Sequence, residues 1–265
     1  DIGTNETAKQ DLEQLGLGEY FEYTKPFSLI QSLNEMICKY DNNALVLDFF
    51  SGSATTAHAV MQMNAEDGGN RRFIMVQLPE PTAETSEAAK AGYETICEIG
   101  KERIRRAGEK VKAECVDAER AAALDIGFKV FKLDSSNLQK WQPQPEDLMA
   151  SLEASMDNFL PDRTTLDVVY EIALKLGLDL SYEVEAREVD GHTVYVIGAG
   201  ALMICLDSQI SMDTAEALLR LHEEYEPETW QVVFRDTGFL SDQEKTNIKE
   251  TLKSAGLDED AFISI

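Results

Sequence analysis

Residues 44–59 read Ala44-Leu-Val-Leu-Asp48-Phe-Phe-Ser-Gly52-Ser-Ala-Thr-Thr56-Ala-His-Ala59. Ala44 to Phe50 is a short apolar run that carries one carboxylate, Asp48, near its end. A small-residue turn and then good helix formers come next, so the stretch reads as a buried strand, a tight loop and a helix start. Ser51, Gly52, Ser53 and Ala54 have side chains small enough for a ligand to approach the backbone. The unpaired N–H groups of the following helix point at whatever sits there. Such a loop suits a small polar molecule, although strand, glycine loop and helix alone are common to many nucleotide binders.

Around this stretch, 265 residues with 43% apolar content can bury one large core or two moderate ones. Two domains are expected, 1–142 and 143–265, with Pro143, Pro145 and their acidic neighbours marking the boundary. No apolar run approaches the roughly 18 residues of a membrane span and no charged-then-apolar leader opens the chain, so membrane insertion and secretion are not expected. Cys38, Cys97, Cys115 and Cys205 are scattered, with no Cys-x-x-Cys pair. That argues against a zinc site or disulfide framework and for reduced thiols in a cytoplasm. The chain opens on Asp1-Ile-Gly-Thr4 rather than Met and is read as a piece of something longer. Formal charge is −25, with 16 basic against 23 acidic residues in 1–142 and 8 against 26 in 143–265. A face that grips nucleic-acid phosphates is basic, so this piece is expected to bind duplex DNA poorly.

Upstream of the loop, Pro26 fits the first turn of a helix on which Leu29, Ile30, Leu33, Met36 and Ile37 recur at helical spacing; taken alone Leu29 and Ile30 would read as core, but the segment's place shortly before the glycine loop turns the reading toward a ligand pocket. Downstream, His58 to Met63 continues the loop's helix, 66–70 stop it, and 71–78 read as a second buried strand ending near Gln77, with Glu80 three residues on. Residues 93–111 form an amphipathic helix. Its cluster Arg103, Arg105 and Arg106 reads as a solvated face pairing with Glu98, Glu102 and Glu109, against the alternative of a phosphate or ligand contact. Gly127 to Asp134 alternates as a strand would. From Thr165 the pattern is helix 166–176, strand 180–189, an Asp190-Gly191 hairpin turn, strands 193–197 and 201–206, helix 212–225, strand 230–235, helix 241–254 and strand 262–265. This is a small α/β domain. Its His192 and His222 stand without a partnering Cys or repeated acid pair, so nothing in it reads as catalytic.

The string from Asp48 to Ala59 closely resembles the S-adenosylmethionine loop, Asp-x-Phe-x-Gly-Ser-Gly-Thr-Thr, of amino-methylating DNA methyltransferases, in the form found in modification subunits of type III restriction systems. Lys25-Pro26-x-x-Leu29-Ile30, Val76-Gln-Leu-Pro-Glu80, Glu102-Arg-Ile-Arg-Arg-Ala107, Gly127-Phe-x-Val-Phe-x-Leu133 with Ser136-Asn137 and Trp141, and Val232 to Phe239 with Lys245-Thr-Asn247 extend the resemblance over nearly the whole chain. It implies an α/β fold: a partial Rossmann-like methyltransferase sheet followed by a smaller C-terminal α/β domain serving assembly or as a scaffold. It implies a cofactor, S-adenosylmethionine, held by Lys25, Pro26, Asp48, Phe49, Phe50, Ser51, Gly52, Ser53, Thr55 and Thr56, with ribose contact left between Gln77 and Glu80. Thr55 and Thr56 are expected as hydroxyl caps of the helix start. The implied reaction is methylation of adenine N6 on a flipped base. The implied partners are DNA, a helicase-nuclease restriction subunit and a second modification subunit. Such enzymes position the amine with an Asp/Asn-Pro-Pro-Tyr/Phe motif, and no Pro-Pro occurs in these 265 residues. In this class that motif precedes the cofactor loop, so the piece is expected to hold no catalytic residue and to be inactive alone. One departure is Ala54, where the usual loop has Gly; a left-handed backbone there would cost roughly 1–2 kcal/mol, enough to weaken the cofactor about tenfold. Two other classes are a ligand-free assembly module and a nicotinamide-type binder. The latter is disfavoured by the missing Gly-x-Gly-x-x-Gly and by the lack of an acid about 20 residues after Gly52.

Overall fold

The computed structural model describes residues 3–139 and 159–265, which fall into two compact units, Asp1–Phe128 and Lys129–Ile265. Trp141, Pro143 and Pro145 lie outside the described residues.

In the first unit, helix α1 (Asn5–Gln14) starts at Thr4, which exchanges capping bonds with Thr7. Helix α2 (Phe27–Cys38) starts directly after Pro26, where a missing N–H costs nothing. Strand β1 (Leu45–Phe49), helix α3 (Thr55–Asp67) and strand β2 (Arg72–Val76) come after it, then α4 (Glu87–Lys90), α5 (Ile96–Glu114) and α6 (Ala118–Ala123). The strands are parallel and in register, Leu45 opposite Arg72 and Phe49 opposite Val76, so α3 is the crossover of a β-α-β unit. It packs against α2, α5 and both strands. This explains a helix buried nearly all round, with Ala57, Ala59, Val60, Met61 and Met63 inside. The core joins Ala54, Ala57 and Met61 to Leu12, Leu15 and Leu17 of the N-terminal segment and to Ile104 and Ala107 of α5. The buried Arg71 guanidinium pins the helix ends, donating to Asp67, to the carbonyls of Cys38 and Lys39, and to Asn42.

Two expectations about the elements themselves fail. Helix α2 has the predicted apolar spacing, yet none of its residues is buried, Leu29 and Ile30 included, and Met36 and Ile37 are 74% and 82% exposed. Spacing reports that a helix has an apolar side; it does not report what covers that side. The other is the run 127–134, which has no ladder: the units divide between Phe128 and Lys129, and no described strand accepts its backbone groups. On the sheet, Phe73 and Met75 face the core, while Leu45, Leu47, Phe49, Ile74 and Val76 line the other face and are exposed.

The second unit is a sheet in the order β3-β4-β5-β6-β7. Its strands are β3 (Val184–Val189), β4 (His192–Ile197), β5 (Leu202–Cys205), β6 (Gln231–Phe234) and β7 (Phe262–Ser264). The first three are antiparallel, and β5, β6 and β7 run parallel. Asp190 and Gly191 both have positive φ, 51° and 85°, as a two-residue hairpin turn requires. Helix α7 (Thr165–Lys175) packs Val168, Val169 and Ile172 on one face, against Leu202 and Ile204. Helices α8 (Met212–Tyr225) and α9 (Asp242–Ser254) pack Leu218, Ile248 and Leu252 on the other, against Met203 and Cys205. Period-two alternation along β5 thus feeds two cores.

Glu171 of α7 accepts bonds from the Ser136 hydroxyl, the Asn137 backbone and side-chain N–H groups, and Lys175, at 2.6–2.7 Å. Burial alone would raise its carboxyl, but these donors outweigh burial and hold it at about 2, below its ordinary 4.5. A folded-state value below the unfolded one gives stability that is present above about pH 4.5 and lost as pH falls toward 2. Glu171→Gln is therefore expected to lower stability by about 1–2 kcal/mol at pH 7, with the gap to the parent narrower at pH 3 and closing only toward pH 2. Urea unfolding at the two pH values reads this, and an equal gap at both would contradict it.

Candidate cofactor site

The loop between β1 and α3 is shaped by backbone and amide bonds. The Ser51 N–H donates to the Val76 carbonyl at 3.0 Å, extending the ladder past the end of β1, and the Ala54 N–H returns to the Ser51 carbonyl at 2.8 Å. The Gly52 N–H donates to Gln77 Oε1 at 2.7 Å. Gly52 and Ala54 are both left-handed, with φ of 52° and 60°. The first is free for glycine. At Ala54 the same backbone costs roughly 1–2 kcal/mol. Close approach from α5 accompanies this turn: a Cβ on Gly100 would stand 3.3 Å from the Gly52 carbonyl and 3.7 Å from the Ala54 Cβ.

The two threonines do not cap the helix. Thr56 Oγ1 donates to Asp48 Oδ2 at 2.5 Å, tying the end of β1 to the first turn of α3. Thr55 Oγ1 turns the other way, into a buried cluster with Ser53 and Thr24. The N-cap position falls on Ala54, which has no side-chain acceptor, so the first-turn amides of α3 receive no side-chain cap. Left-handed geometry at Ala54, unlike the extended backbone usual at an N-cap, is what moves the hydroxyls away from capping reach.

Arg103 overturns the reading of the basic cluster as a solvated face. It is 0% exposed, and its Nη1 donates to Thr24 Oγ1 at 2.9 Å, Ser53 Oγ at 2.8 Å and Thr55 Oγ1 at 2.7 Å. Nε and Nη2 have no hydrogen-bond partner among the described residues. Burial lowers its pKa to about 10, which the charge of Asp11 partly opposes, so it stays protonated at neutral pH. The reason lies in the helix period: Ile99, Arg103, Ala107 and Val111 stand four residues apart and all are buried. That series was present in the sequence as a signal and would have separated Arg103 from its neighbours. Arg105 and Arg106 do pair with Glu102, at 3.3 and 2.7 Å, and Arg106 also donates to the Leu15 and Gly16 carbonyls. Glu98 pairs with Lys101 instead.

The remaining expected residues divide by exposure. Pro26 is buried and Lys25 beside it is exposed. Phe49 and Phe50 are 67% and 60% exposed, their rings edge to face at 6.4 Å. Ser51 is half-buried. Gln77 is engaged with the loop. The exposed Glu80 contributes its carbonyl, which accepts the Ile96 N–H at the start of α5. Three separate sets of bonds thus meet at the loop: Asp48 with Thr56, Gly52 with Gln77, and Ser53 and Thr55 with Thr24 and Arg103. Among the described residues no group of three His, Cys, Asp or Glu could hold a metal ion. Nor is any described helix long and apolar enough to cross a membrane.

Residues 3–109 match the family model described as DNA methylase. The chain is 37% identical over 139 residues to the StyLTI Mod subunit of a type III restriction-modification enzyme from Salmonella typhimurium, covering 52% of this chain and 20% of that protein. It is 30% identical to the EcoP15I Mod subunit of Escherichia coli, over 88% of this chain and 34% of that subunit. To the EcoPI Mod subunit of Escherichia phage P1 it is 31% identical, over 94% of this chain and 37% of that subunit. It therefore spans about a third or less of these relatives. The loop between β1 and α3 lies inside the matched residues: residues 3–109 match the DNA methylase family, and over most of its length the chain is similar to the modification subunits of type III restriction-modification enzymes.

Proposed function

We propose that this chain is the cofactor-holding portion of a DNA methyltransferase that transfers a methyl group from S-adenosylmethionine to adenine N6 within a type III restriction-modification system. The observation that carries this reading is the loop after β1: a left-handed Gly52–Ala54 turn below the uncapped amides of α3, with Phe49 and Phe50 exposed at its rim. Those amides suit the carboxylate of the methionine moiety, and the aromatic pair suits the adenine. Lys25 stands exposed on the adjoining segment as a further cationic contact. Because Gln77 is held by Gly52, it serves to shape the loop, leaving Glu80 as the carboxylate open to the ribose hydroxyls. The cofactor supplies a methyl group made electrophilic by its sulfonium.

The groups that flip and hold the target base belong, in this reading, to another part of a longer protein. Three observations support it: no Pro-Pro motif, a charge of −25, and a parallel sheet whose Leu45, Leu47, Phe49, Ile74 and Val76 face has no cover among the described residues. Parallel sheets are normally covered on both faces, and a further sheet and its helices would cover this one. The second unit, closed on both sides of its sheet, serves assembly with a second modification subunit and with a restriction subunit in a bacterial cytoplasm.

Calorimetric titration of S-adenosylmethionine into the chain is expected to show one-site binding that Asp48→Ala abolishes by releasing Thr56; equal binding by the variant would move the site elsewhere. Tritium transfer from labelled cofactor to an adenine-containing duplex is expected to stay at background with this chain alone, and incorporation would contradict the division of labour. The turn at Ala54 is held by Gln77, Gly100 and Arg103, so its cost falls on folding rather than on binding. Ala54→Gly is then expected to raise stability by about 0.5–1 kcal/mol, since the strain relieved exceeds the added flexibility of the unfolded chain. Urea unfolding checks the gain, and a net loss would contradict it.

A further inference from the structure

The two segments assigned to the ligand, Thr24–Pro26 and Ser53–Thr56, come from different parts of the chain and carry no direct backbone bond to each other among the described residues. They meet through hydroxyls: Thr24 Oγ1 lies 2.8 Å from Ser53 Oγ, and both accept from one nitrogen of Arg103, as does Thr55. That nitrogen is fixed in turn, because Gly100, three residues earlier on α5, brings the helix against the Gly52 carbonyl. Among the described residues no carboxylate hydrogen-bonds the guanidinium, and two of its nitrogens have no partner. A buried cation so placed costs stability, and an apolar side chain of similar volume would fill the space without that cost. What an apolar side chain lacks is a donor that sets the separation of three hydroxyls at once.

We propose that Arg103 is a positioning residue for the cofactor: it registers the Thr24–Pro26 segment against the Ser53–Thr55 turn, so that Lys25 and the first-turn amides of α3 face one ligand. The inference rests on the cofactor reading above. Arg103 itself is fully buried, so it acts through the hydroxyls and makes no contact with ligand. Two consequences separate this from a purely structural role. Loss of registration weakens S-adenosylmethionine and S-adenosylhomocysteine alike, since the sulfonium charge that distinguishes them is not what Arg103 senses. Loss of the donor also lets the strained Ala54 relax, so glycine at that position matters for affinity once Arg103 is gone.

The test is titration of both ligands into the 265-residue chain and its variants. Arg103→Met is expected to weaken both about tenfold or more, which corresponds to about 1.4 kcal/mol. Arg103→Lys is expected to recover part of this, because its ammonium keeps a positive donor group, with three N–H bonds. Ala54→Gly is expected to change affinity less than about threefold in the parent and to recover most of the loss in Arg103→Met, a coupling that independent sites do not show. Should Arg103→Met fail to fold, Thr24→Val carries the test by removing one acceptor and keeping the arginine; weaker binding with a nearly unchanged unfolding midpoint is the expected result. Parent-like affinity in whichever of Arg103→Met or Thr24→Val folds, or a changed ratio between the two ligands, overturns the positioning role while leaving the cofactor reading standing. Absence of binding by the parent chain overturns both.

Discussion

A buried, protonated guanidinium that no described carboxylate hydrogen-bonds lies behind the loop of the first unit, and the geometry of the loop depends on it. Moving such a group out of water costs several kcal/mol, and hydroxyl dipoles offset that only in part. Around Arg103 the compensating bonds are spread over Thr24, Ser53 and Thr55, whose side chains are consequently drawn inward. Thr55 is thereby unavailable as a cap, and the first-turn amides of α3 are left without a side-chain acceptor. The remaining loop contacts fit around it: Gly100 must be small to let α5 approach, Gly52 and Ala54 must turn left-handed, and Gln77 closes the turn from the second strand.

The two units solve the problem of covering a sheet differently. In the second, β5 sends Leu202 and Ile204 to one core and Met203 and Cys205 to another, with helices on both sides. Helix α3 and α5 cover one face of the first unit's sheet only, and the apolar residues of its other face are exposed. The same one-sidedness appears in α2, whose Leu33, Met36 and Ile37 are left outside. Contiguous apolar surface of this kind is costly to leave in water and marks a site of association.

Ion pairs along α5 illustrate how one helix serves two ends. Glu102 holds Arg105 and Arg106 on its outer side, and Arg106 reaches on to the carbonyls at Leu15 and Gly16, where α1 has just ended. Pairs so exposed contribute little each. Arg103, next to Glu102 in the chain, is wholly interior. The difference between Arg103 and Arg105 is therefore one of helical phase: both sit in Arg-Ile-Arg-Arg, and only the former continues the row of Ile99, Ala107 and Val111.

Much of the architecture was legible in local sequence because local chemistry decided it. Alternation with Asp190-Gly191 set the β3–β4 hairpin, Pro26 set the start of α2, and the small residues of 51–54 set the loop. Those signals depend on backbone sterics and on spacing within one element, which the chain carries with it. Contacts between elements were beyond that reach. Whether Leu29 and Ile30 are core, whether 127–134 finds a ladder, and which way Thr55 and Thr56 point depend on what stands opposite. Sequence by itself determined a strand, a glycine turn and a helix in that order. Tertiary packing alone decided that a distant arginine lies behind that turn, because burial of a side chain is a property of the space between elements and not of the residue that fills it.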